Sequence, residues 1–204
     1  MSIYLVALKI ARIRPMTTIV QTGDKVLRET AEEIGLAEIK SAKIKNILAQ
    51  MTKALSAAKD GVALAAPQIG VPLRIFIVLK EHTENKTSQE LKEIQGKKAT
   101  PTQGRSSDRS VGEKPEIVVF INPKITKISK KKQTVREGCL SVVGMFGAIT
   151  RAEKVTVEAH NENSEKFSRG ASGLLAQIFQ HEMDHLNGIL FTDTAYNLEK
   201  IETK

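Results

Sequence analysis

At 204 residues, with 41% hydrophobic and 26% charged residues, the chain suits one globular domain, and no apolar run reaches the about 20 residues that span a membrane. The formal net charge of +8 permits loose association with RNA or another polyanion, but aromatic residues make up only 4% of the chain, too few for the stacking surface of a single-stranded nucleic-acid binder. Solvated surface is the favoured interpretation of the lysine runs at 97–98 and 130–132, so neither DNA nor a membrane is an expected partner.

Residues 1–17 are interpreted as an N-terminal extension. Their apolar run, residues 3–8, is short and ends at Lys9, unlike the longer core of a secretory signal. The stretch is basic and lacks acidic residues, so an organelle-targeting sequence is the alternative to a short extension before Met16. The single cysteine, Cys139, excludes an intramolecular disulfide and fits a reducing compartment. A cytoplasmic location is therefore favoured over an organellar one.

An amphipathic helix is predicted over residues 41–59. Its apolar residues recur at helical spacing and form one buried stripe: Ile44, Ile47, Leu48, Met51, Leu55 and Ala58. Gly61 follows as a helix stop. Residues 73–79 are rich in β-branched side chains and too few for a helix, which predicts a buried strand.

Residues 81–116 are predicted to form a mobile loop inserted into the domain. They are mostly polar, charged, Gly or Pro, and cannot bury enough apolar area to offset the entropy of ordering them. Strand patterns lie on both sides, since residues 117–123 resume an apolar pattern that is expected to end at Pro123. Residues 155–159 alternate between apolar and polar, as in a half-exposed strand.

A second helix is predicted over residues 173–186, between Ser172 as its N-cap and Gly188 as its C-terminal stop. It contains the sequence HEMDH, in which two histidines lie four residues apart. The histidines share a helix face with two apolar residues, and this face is expected to point to the core: Leu174, Ile178, His181 and His185.

The two histidines can hold one metal ion from a single helical turn. Glu182 is rotated about 100° from His181, so it can reach an open coordination position without being a ligand. A merely polar histidine pair is the alternative, although two buried imidazoles without partners would be costly. A catalytic metal usually has three protein ligands, and no histidine follows His185. A zinc protease with a downstream ligand is therefore disfavoured, and the third ligand has to come from elsewhere.

Cys139, in the sequence EGCLS at 137–141, is the candidate third ligand. A lone cysteine is by itself more often a small buried apolar residue. Beside two histidines that lack a third partner, however, a Cys/His/His site is the favoured interpretation.

Three sequences, in the order GVALAAPQ (61–68), EGCLS (137–141) and QHEMDHLNG (180–188), resemble the three motifs of peptide deformylases. GDKVLRETA (23–31), INP (121–123) and RAEKVTV (151–157) extend the resemblance to about residues 18–193, apart from the inserted loop. We expect an α+β fold, a single domain at 18–197 with mixed or antiparallel sheets packed around a central helix carrying HEMDH. Residues 198–204 are expected to form a C-terminal tail.

The family removes the N-formyl group from the initiator methionine of newly made bacterial or organellar proteins and releases formate. The resemblance implies that Cys139, His181 and His185 hold one divalent metal ion, usually Fe²⁺, with Zn²⁺ or Ni²⁺ able to substitute. It implies that Glu182 acts as general base and then as general acid. The implied partners are N-formylmethionyl peptides and nascent chains, with a loose association with the ribosome left open.

Other positions that match the family motifs are assigned by the same resemblance. Gln68 and the backbone N–H of Leu140 would bind the oxyanion. Val62 and Gly138 would offer main-chain hydrogen bonds to an extended substrate, as in strand addition. Arg151 would support the metal site, bind a substrate carboxylate or be purely structural, and these alternatives stay open.

Two positions depart from the family pattern. The substrate-binding position Ala63 is usually glycine, so its methyl group is expected to narrow the substrate pocket or to need ordinary backbone angles. Val143 stands where the family commonly has proline. A catalytically impaired member that serves as a metal- or peptide-binding protein is therefore the alternative function.

Overall fold

The structure is a computed structural model that describes residues 18–58, 60–83 and 115–201. The predicted N-terminal extension and most of the predicted loop at 81–116 lie outside the described residues. Within them the α+β fold expected from the sequence is confirmed. The helices are α1 (Ala42–Ala57) and α2 (Gly173–Leu186). The strands are β1 (Ala63–Ala65), β2 (Ile75–Leu79), β3 (Ile117–Ile128), β4 (Lys132–Cys139), β5 (Val142–Ala152), β6 (Lys154–His160), β7 (Lys166–Ser172) and β8 (Tyr196–Lys200).

The strands form two antiparallel sheets around α2. The larger sheet has five strands in the order β1-β2-β3-β6-β7, and the smaller has three in the order β4-β5-β8. Helix α2 contacts β1, β6 and β7 of the larger sheet and β5 of the smaller one. Strands β1 and β4 are both edge strands, so each has one side free of strand partners. Neither described helix is long and apolar enough to cross a bilayer.

Strand β2 is buried at every position, because helices cover both faces of the larger sheet. Phe76 and Val78 join the apolar cluster that includes α2, whereas the alternating residues Ile75 and Ile77 join the cluster that includes α1. Fully burying such a side chain contributes about 1.5–3 kcal/mol. This two-sided burial explains why residues 75–79 read as a continuous apolar run, and the strand begins two residues after its predicted start at Leu73.

Helix α1 begins as predicted, because the Ser41 side chain accepts the backbone N–H of Ile44 at 3.3 Å. The helix ends at Ala57, two residues before the predicted end. Its apolar stripe is buried as far as Leu55, with Met51 and Leu55 fully inaccessible, whereas Ala58 lies past the helix end and is half-buried.

Two predicted boundaries were wrong. Strand β3 does not end at Pro123 but continues to Ile128, and the register against β6 shifts between Ile121 and Lys124. This irregularity accommodates a proline, which has no N–H to give to the ladder. The prediction of a C-terminal tail at 198–204 was also wrong for residues 198–200, since β8 extends to Lys200 and pairs with β5. Main-chain pairing holds β8 although all its side chains are exposed.

Helix α2 has the predicted bounds, but its histidine face lies at the margin of the buried surface and not at its centre. Leu175 and Phe179 are buried, whereas Leu174 is 47% exposed. The expectation that Leu174 faces the core was therefore wrong. Because each residue turns the helix by about 100°, the buried arc centres beyond the histidine face and leaves one side of that face accessible.

Candidate metal centre

The predicted ligands Cys139, His181 and His185 come together at the junction of the two sheets. Cys139 is the last residue of β4, and both histidines lie on α2. Cys139 Sγ lies 3.1 Å from His185 Nε2, and one ligand atom from each residue lies within 4.8 Å of the others. Bonds of about 2.3 Å to sulfur and about 2.0–2.1 Å to nitrogen let one ion contact both Sγ of Cys139 and Nε2 of His185 across 3.1 Å. The donor set therefore fits a bound transition metal.

The carboxylate of Glu137 fixes the orientation of His181. Its Oε2 lies 2.9 Å from His181 Nδ1, and an ionised carboxylate can only accept, so Nδ1 is the donor. The other ring nitrogen, Nε2, remains to bind a metal. Carboxylates commonly orient metal-binding histidines in this way. Glu137 is the first residue of EGCLS, but no role was predicted for it from the sequence.

Arg151 is buried and holds Glu137 from the other side. Its Nε and Nη2 donate to the two carboxylate oxygens of Glu137 at 2.8 and 2.9 Å, and its Nη1 donates to Asp184 at 2.6 Å. Burial opposes ionisation of Glu137, but hydrogen bonds from Arg151 and His181 outweigh it and lower its pKa to about 2. Asp184, within HEMDH, is thus a second carboxylate bound to Arg151, and this contact was not predicted from the sequence.

Glu182 is buried beside the ligands, with 3% of its surface exposed. Burial raises its pKa to about 7, although the positive charge of His181 opposes that rise. Its Oε2 has no hydrogen-bond partner among the described residues. A buried carboxyl oxygen without a partner is costly, so this oxygen is available to a reacting group.

The two histidines differ in their protonation. Burial opposes a charge on His181, but hydrogen bonds with Cys139 and Glu137 raise its pKa well above the ordinary value. Burial, together with the charge of His181, lowers the pKa of His185 well below it.

The side chain of Gln68 directs a hydrogen-bond donor towards the predicted ligand Cys139. Gln68 lies in a 3-10 turn, Ala66–Ile69, directly after β1. Its Oε1 accepts the backbone N–H of Ala65 at 2.8 Å, which fixes the amide orientation. Its Nε2 then faces Cys139 Sγ at 3.5 Å and Ser141 Oγ at 3.3 Å. Ser141, a further residue of EGCLS, was not singled out from the sequence.

Leu140 lies in the turn between β4 and β5. Its carbonyl accepts Nε2 of Gln21 at 3.0 Å. The next N–H, of Ser141, donates to Cys139 Sγ at 3.4 Å. The Leu140 N–H has no acceptor in the described part of the chain.

The predicted substrate-binding residues Val62 and Ala63 lie at edge strand β1. The Val62 carbonyl accepts the N–H of Leu79 at 3.0 Å, whereas the Val62 N–H has no backbone acceptor among the described residues. Because hydrogen-bonding directions alternate along a strand, the main-chain groups of Ala63 point to the free edge. The Ala63 side chain is buried in the cluster beneath the sheet.

Gly138 leaves room for an aromatic ring. A Cβ at this position would lie 2.6 Å from Cε1 of Phe146, across the β4–β5 pair. The guanidinium of Arg136 lies 4.9 Å from the centre of the same ring. Val143, the second departure from the family pattern, is 65% exposed at the start of β5.

Comparison with known proteins is consistent with this geometry. A family model described as polypeptide deformylase matches residues 16–201. The chain is 40% identical over 178 residues to peptide deformylase 1A, chloroplastic, of Solanum lycopersicum, covering 87% of this chain and 59% of that relative. It is 35% identical over 170 residues to peptide deformylase 2 of Clostridium acetobutylicum, covering 83% and 89%. The chain thus spans about three fifths of the tomato protein and most of the bacterial one.

Solved structures of peptide deformylases have a fold similar to that of this chain. The crystal structure of a Synechococcus elongatus peptide deformylase in complex with actinonin superposes with a TM-score of 0.68 at 30% identity, covering 90% of this chain and 83% of that one. The peptide deformylase of Thermotoga maritima superposes with a TM-score of 0.65 at 29% identity, covering 90% and 99%.

Proposed function

The chain belongs to the polypeptide deformylase family, an enzyme family, and on that premise we propose that it hydrolyses the N-formyl group of N-terminal methionine in newly made polypeptides and releases formate. The observation that carries this proposal is the convergence of Cys139, His181 and His185, whose ligand atoms lie within 4.8 Å of one another. Glu182 and Gln68 stand beside this group, and each supplies a function that amide hydrolysis needs.

The three ligands would hold one divalent ion, with Fe²⁺ as the proposed metal and Zn²⁺ or Ni²⁺ as substitutes. One thiolate and two imidazoles suit ions of this class. When bound, such an ion supplies a Lewis acid and lowers the pKa of a bound water towards about 7.

Glu182 is the proposed proton carrier. A carboxyl group with a pKa of about 7 exists in both protonation states at neutral pH, so it can take a proton and later give it up. It would accept the proton of the attacking water and deliver it to the leaving amine. Such a group typically contributes about 10²–10⁴-fold to the rate.

Gln68 and the Leu140 N–H are the proposed donors to the oxyanion. The amide of Gln68 is neutral at every pH, and its bond from Ala65 holds it in place before substrate arrives. Donors that are already oriented towards developing charge need no reorganisation during the reaction.

The peptide would bind as an added strand between the free edges of β1 and β4. Ala63 and the N–H of Val62 offer main-chain groups on one side, and Gly138 on the other. Arg151 donates from its Nε, Nη1 and Nη2 to carboxylates of the protein itself. We therefore assign Arg151 to holding Glu137 and not to a substrate carboxylate.

We place the protein in the cytoplasm, with an organelle as the alternative because the tomato relative is named as chloroplastic. Nascent formylated chains are the proposed substrates, which makes a loose association with the ribosome part of the proposal.

The test is formate release by purified protein loaded anaerobically with Fe²⁺. A formyl-methionyl peptide should yield formate, and the acetyl-methionyl peptide of the same sequence should not be cleaved. A protein that binds the metal but releases no formate would instead support the impaired, binding-only alternative that Ala63 and Val143 suggest.

A further inference from the structure

Five exposed lysines gather where two chain connections cross from one sheet to the other. The turn between β3 and β4 packs against the turn between β5 and β6, at the same end of both sheets. We call these lysines the lysine corner: Lys127, Lys130, Lys131, Lys132 and Lys154. The fold thus joins the sequence run 130–132 to lysines from two other elements.

The corner is held by main-chain hydrogen bonds. The N–H of Ser129 donates to the Lys154 carbonyl at 2.9 Å, and the N–H of Glu153 donates to the Lys131 carbonyl at 3.0 Å. The Ser129 hydroxyl accepts the Lys154 N–H at 3.1 Å and donates to the Lys131 carbonyl at 2.8 Å. The backbone that carries the lysines is therefore fixed before any ligand arrives.

The positive charge of the corner is mostly uncompensated. Lys131 forms an ion pair with Glu153 at 2.9 Å. Among the described residues the other four lysines have no carboxylate within ion-pair distance. The nearby Lys124 is already paired with Glu33 at 2.9 Å and is not counted. Like charges held close together repel, and a polyanion relieves that repulsion.

We propose that the lysine corner binds the phosphate backbone of RNA without sequence preference. Lysine acts as a mobile point charge towards phosphates, whereas base recognition needs planar or aromatic partners that this surface lacks. An anionic membrane is less suited, because surface helices and anchors insert an apolar face. Ile128, 62% exposed, is the single large apolar side chain exposed along the β3–β4 connection.

The corner and the metal centre are linked by one strand. Strand β4 begins at Lys132 and ends at Cys139, a distance of about 23 Å at about 3.3 Å per residue. RNA held at the corner therefore leaves the metal centre open. Keeping the enzyme near the site of translation rests on the proposed function, whereas RNA binding itself does not.

The test compares two variants with the same change in net charge. K127E/K130E/K132E reverses three lysines of the corner, and K40E/K43E/K45E reverses three exposed lysines near the start of α1. Binding of a labelled single-stranded RNA of about 20 nucleotides is followed by fluorescence anisotropy between about 50 and 200 mM salt. Thermal unfolding, which needs no formylated substrate, checks that both variants are folded.

We expect the corner variant to bind RNA at least about tenfold more weakly than wild type and the α1 variant to stay within about twofold. The slope of log affinity against log salt concentration should also become less steep. The change is about 0.7 for each lost phosphate contact, and hence about 2 for three contacts. The neutral variant K127Q/K130Q/K132Q should also bind RNA more weakly than wild type, but with a smaller loss of affinity than the charge-reversal variant.

An equal loss in both charge-reversal variants would show a net-charge effect and overturn the proposal, as would wild-type protein that does not bind RNA in this salt range. Vesicles of phosphatidylserine and phosphatidylcholine provide the other comparison. If the corner variant loses vesicle binding but keeps RNA binding, the surface serves a membrane and the proposal is wrong.

Discussion

Glu137 and His181 form a hydrogen bond in which the carboxylate lies 2.9 Å from Nδ1, and through it strand β4 orients a proposed metal ligand of helix α2. Because Cys139 lies two residues along the same strand, β4 would supply one of the proposed ligands directly and position a second. Arg151 completes the arrangement by occupying both oxygens of Glu137.

Replacing Glu137 should therefore weaken metal binding. Glu137→Gln removes the charge that orients His181, and we expect a loss of about 10–100-fold in metal affinity. Competition with a chromophoric chelator for Zn²⁺ measures it. The control is Glu158→Gln, which removes a surface ion-pair carboxylate facing Lys166. Unchanged affinity in Glu137→Gln would contradict the orienting role.

Glu182→Gln should separate binding from turnover. The amide keeps the size of the side chain but cannot accept a proton, so we expect full metal content and a fall in kcat/KM of about 10²–10⁴. Metal analysis and formate release on the same preparation decide the matter. If the variant retained its turnover, Glu182 would not be the group that transfers the proton.

The pH dependence of stability should also depend on Glu182. Its pKa is about 7 in the folded metal-free protein, above its ordinary value of 4.5. Its contribution to stability is therefore fully present below about pH 4.5 and is lost as the pH rises through about 7. The whole loss is on the order of 3 kcal/mol, at 1.36 kcal/mol per pKa unit.

Chemical unfolding of metal-free wild type and Glu182→Gln, measured at pH 5 and pH 8, tests this loss. The free energy of unfolding of the wild type should fall relative to the variant as the pH rises. Comparing the two proteins cancels the titration of other groups. A constant difference between them would show that the carboxyl group is not buried as described.

Gln68→Ala should impair catalysis more than binding. It removes a donor that is oriented by Ala65, and the loss of one oxyanion donor commonly costs about 10²–10³ in kcat. Steady-state kinetics should show the loss in kcat, with KM and metal content little changed. A defect confined to KM would instead place Gln68 in substrate binding.

Gly138→Ala should destabilise the small sheet. The added Cβ would lie 2.6 Å from the Phe146 ring, and overpacking of this kind costs about 1–3 kcal/mol. Phe146→Leu removes the ring, so Gly138→Ala should lower the free energy of unfolding much less in the Phe146→Leu background than in the wild type. Denaturant unfolding of the four proteins gives the coupling energy, and strict additivity would argue against the contact.

Local patterns predicted the helices and the two histidine ligands, whereas Cys139 was inferred from the missing third ligand and from the family resemblance. The stripe of α1 and the i, i+4 spacing of His181 and His185 are properties of one helix, so the sequence contains them directly. The roles of Glu137 and Ser141 depend on which strand ends face α2. That arrangement is set by contacts between residues far apart in the chain.

The boundaries that were wrong have the same kind of cause. Strand β8 is fully exposed, so it has no alternation to detect and is held by pairing with β5. Pro123 is tolerated because the register shifts around it, which only the partner strand reveals. Leu174 is exposed because the buried arc of α2 is offset from the face that carries the histidines.

The positions of the metal-centre residues along the chain bear on when the protein becomes competent during its own synthesis. Gln68 and Cys139 precede His181 and His185 in the chain, so the site cannot form before helix α2 has been made. The Ala31 N–H donates to the Leu186 carbonyl at 2.9 Å, so this hydrogen bond also forms only after helix α2 has been made. Contacts so distant in sequence form late in folding. A chain whose helix α2 has not yet been translated therefore lacks two of the three proposed ligands, and under the proposed function its N-terminal formyl group is removed by a molecule completed earlier.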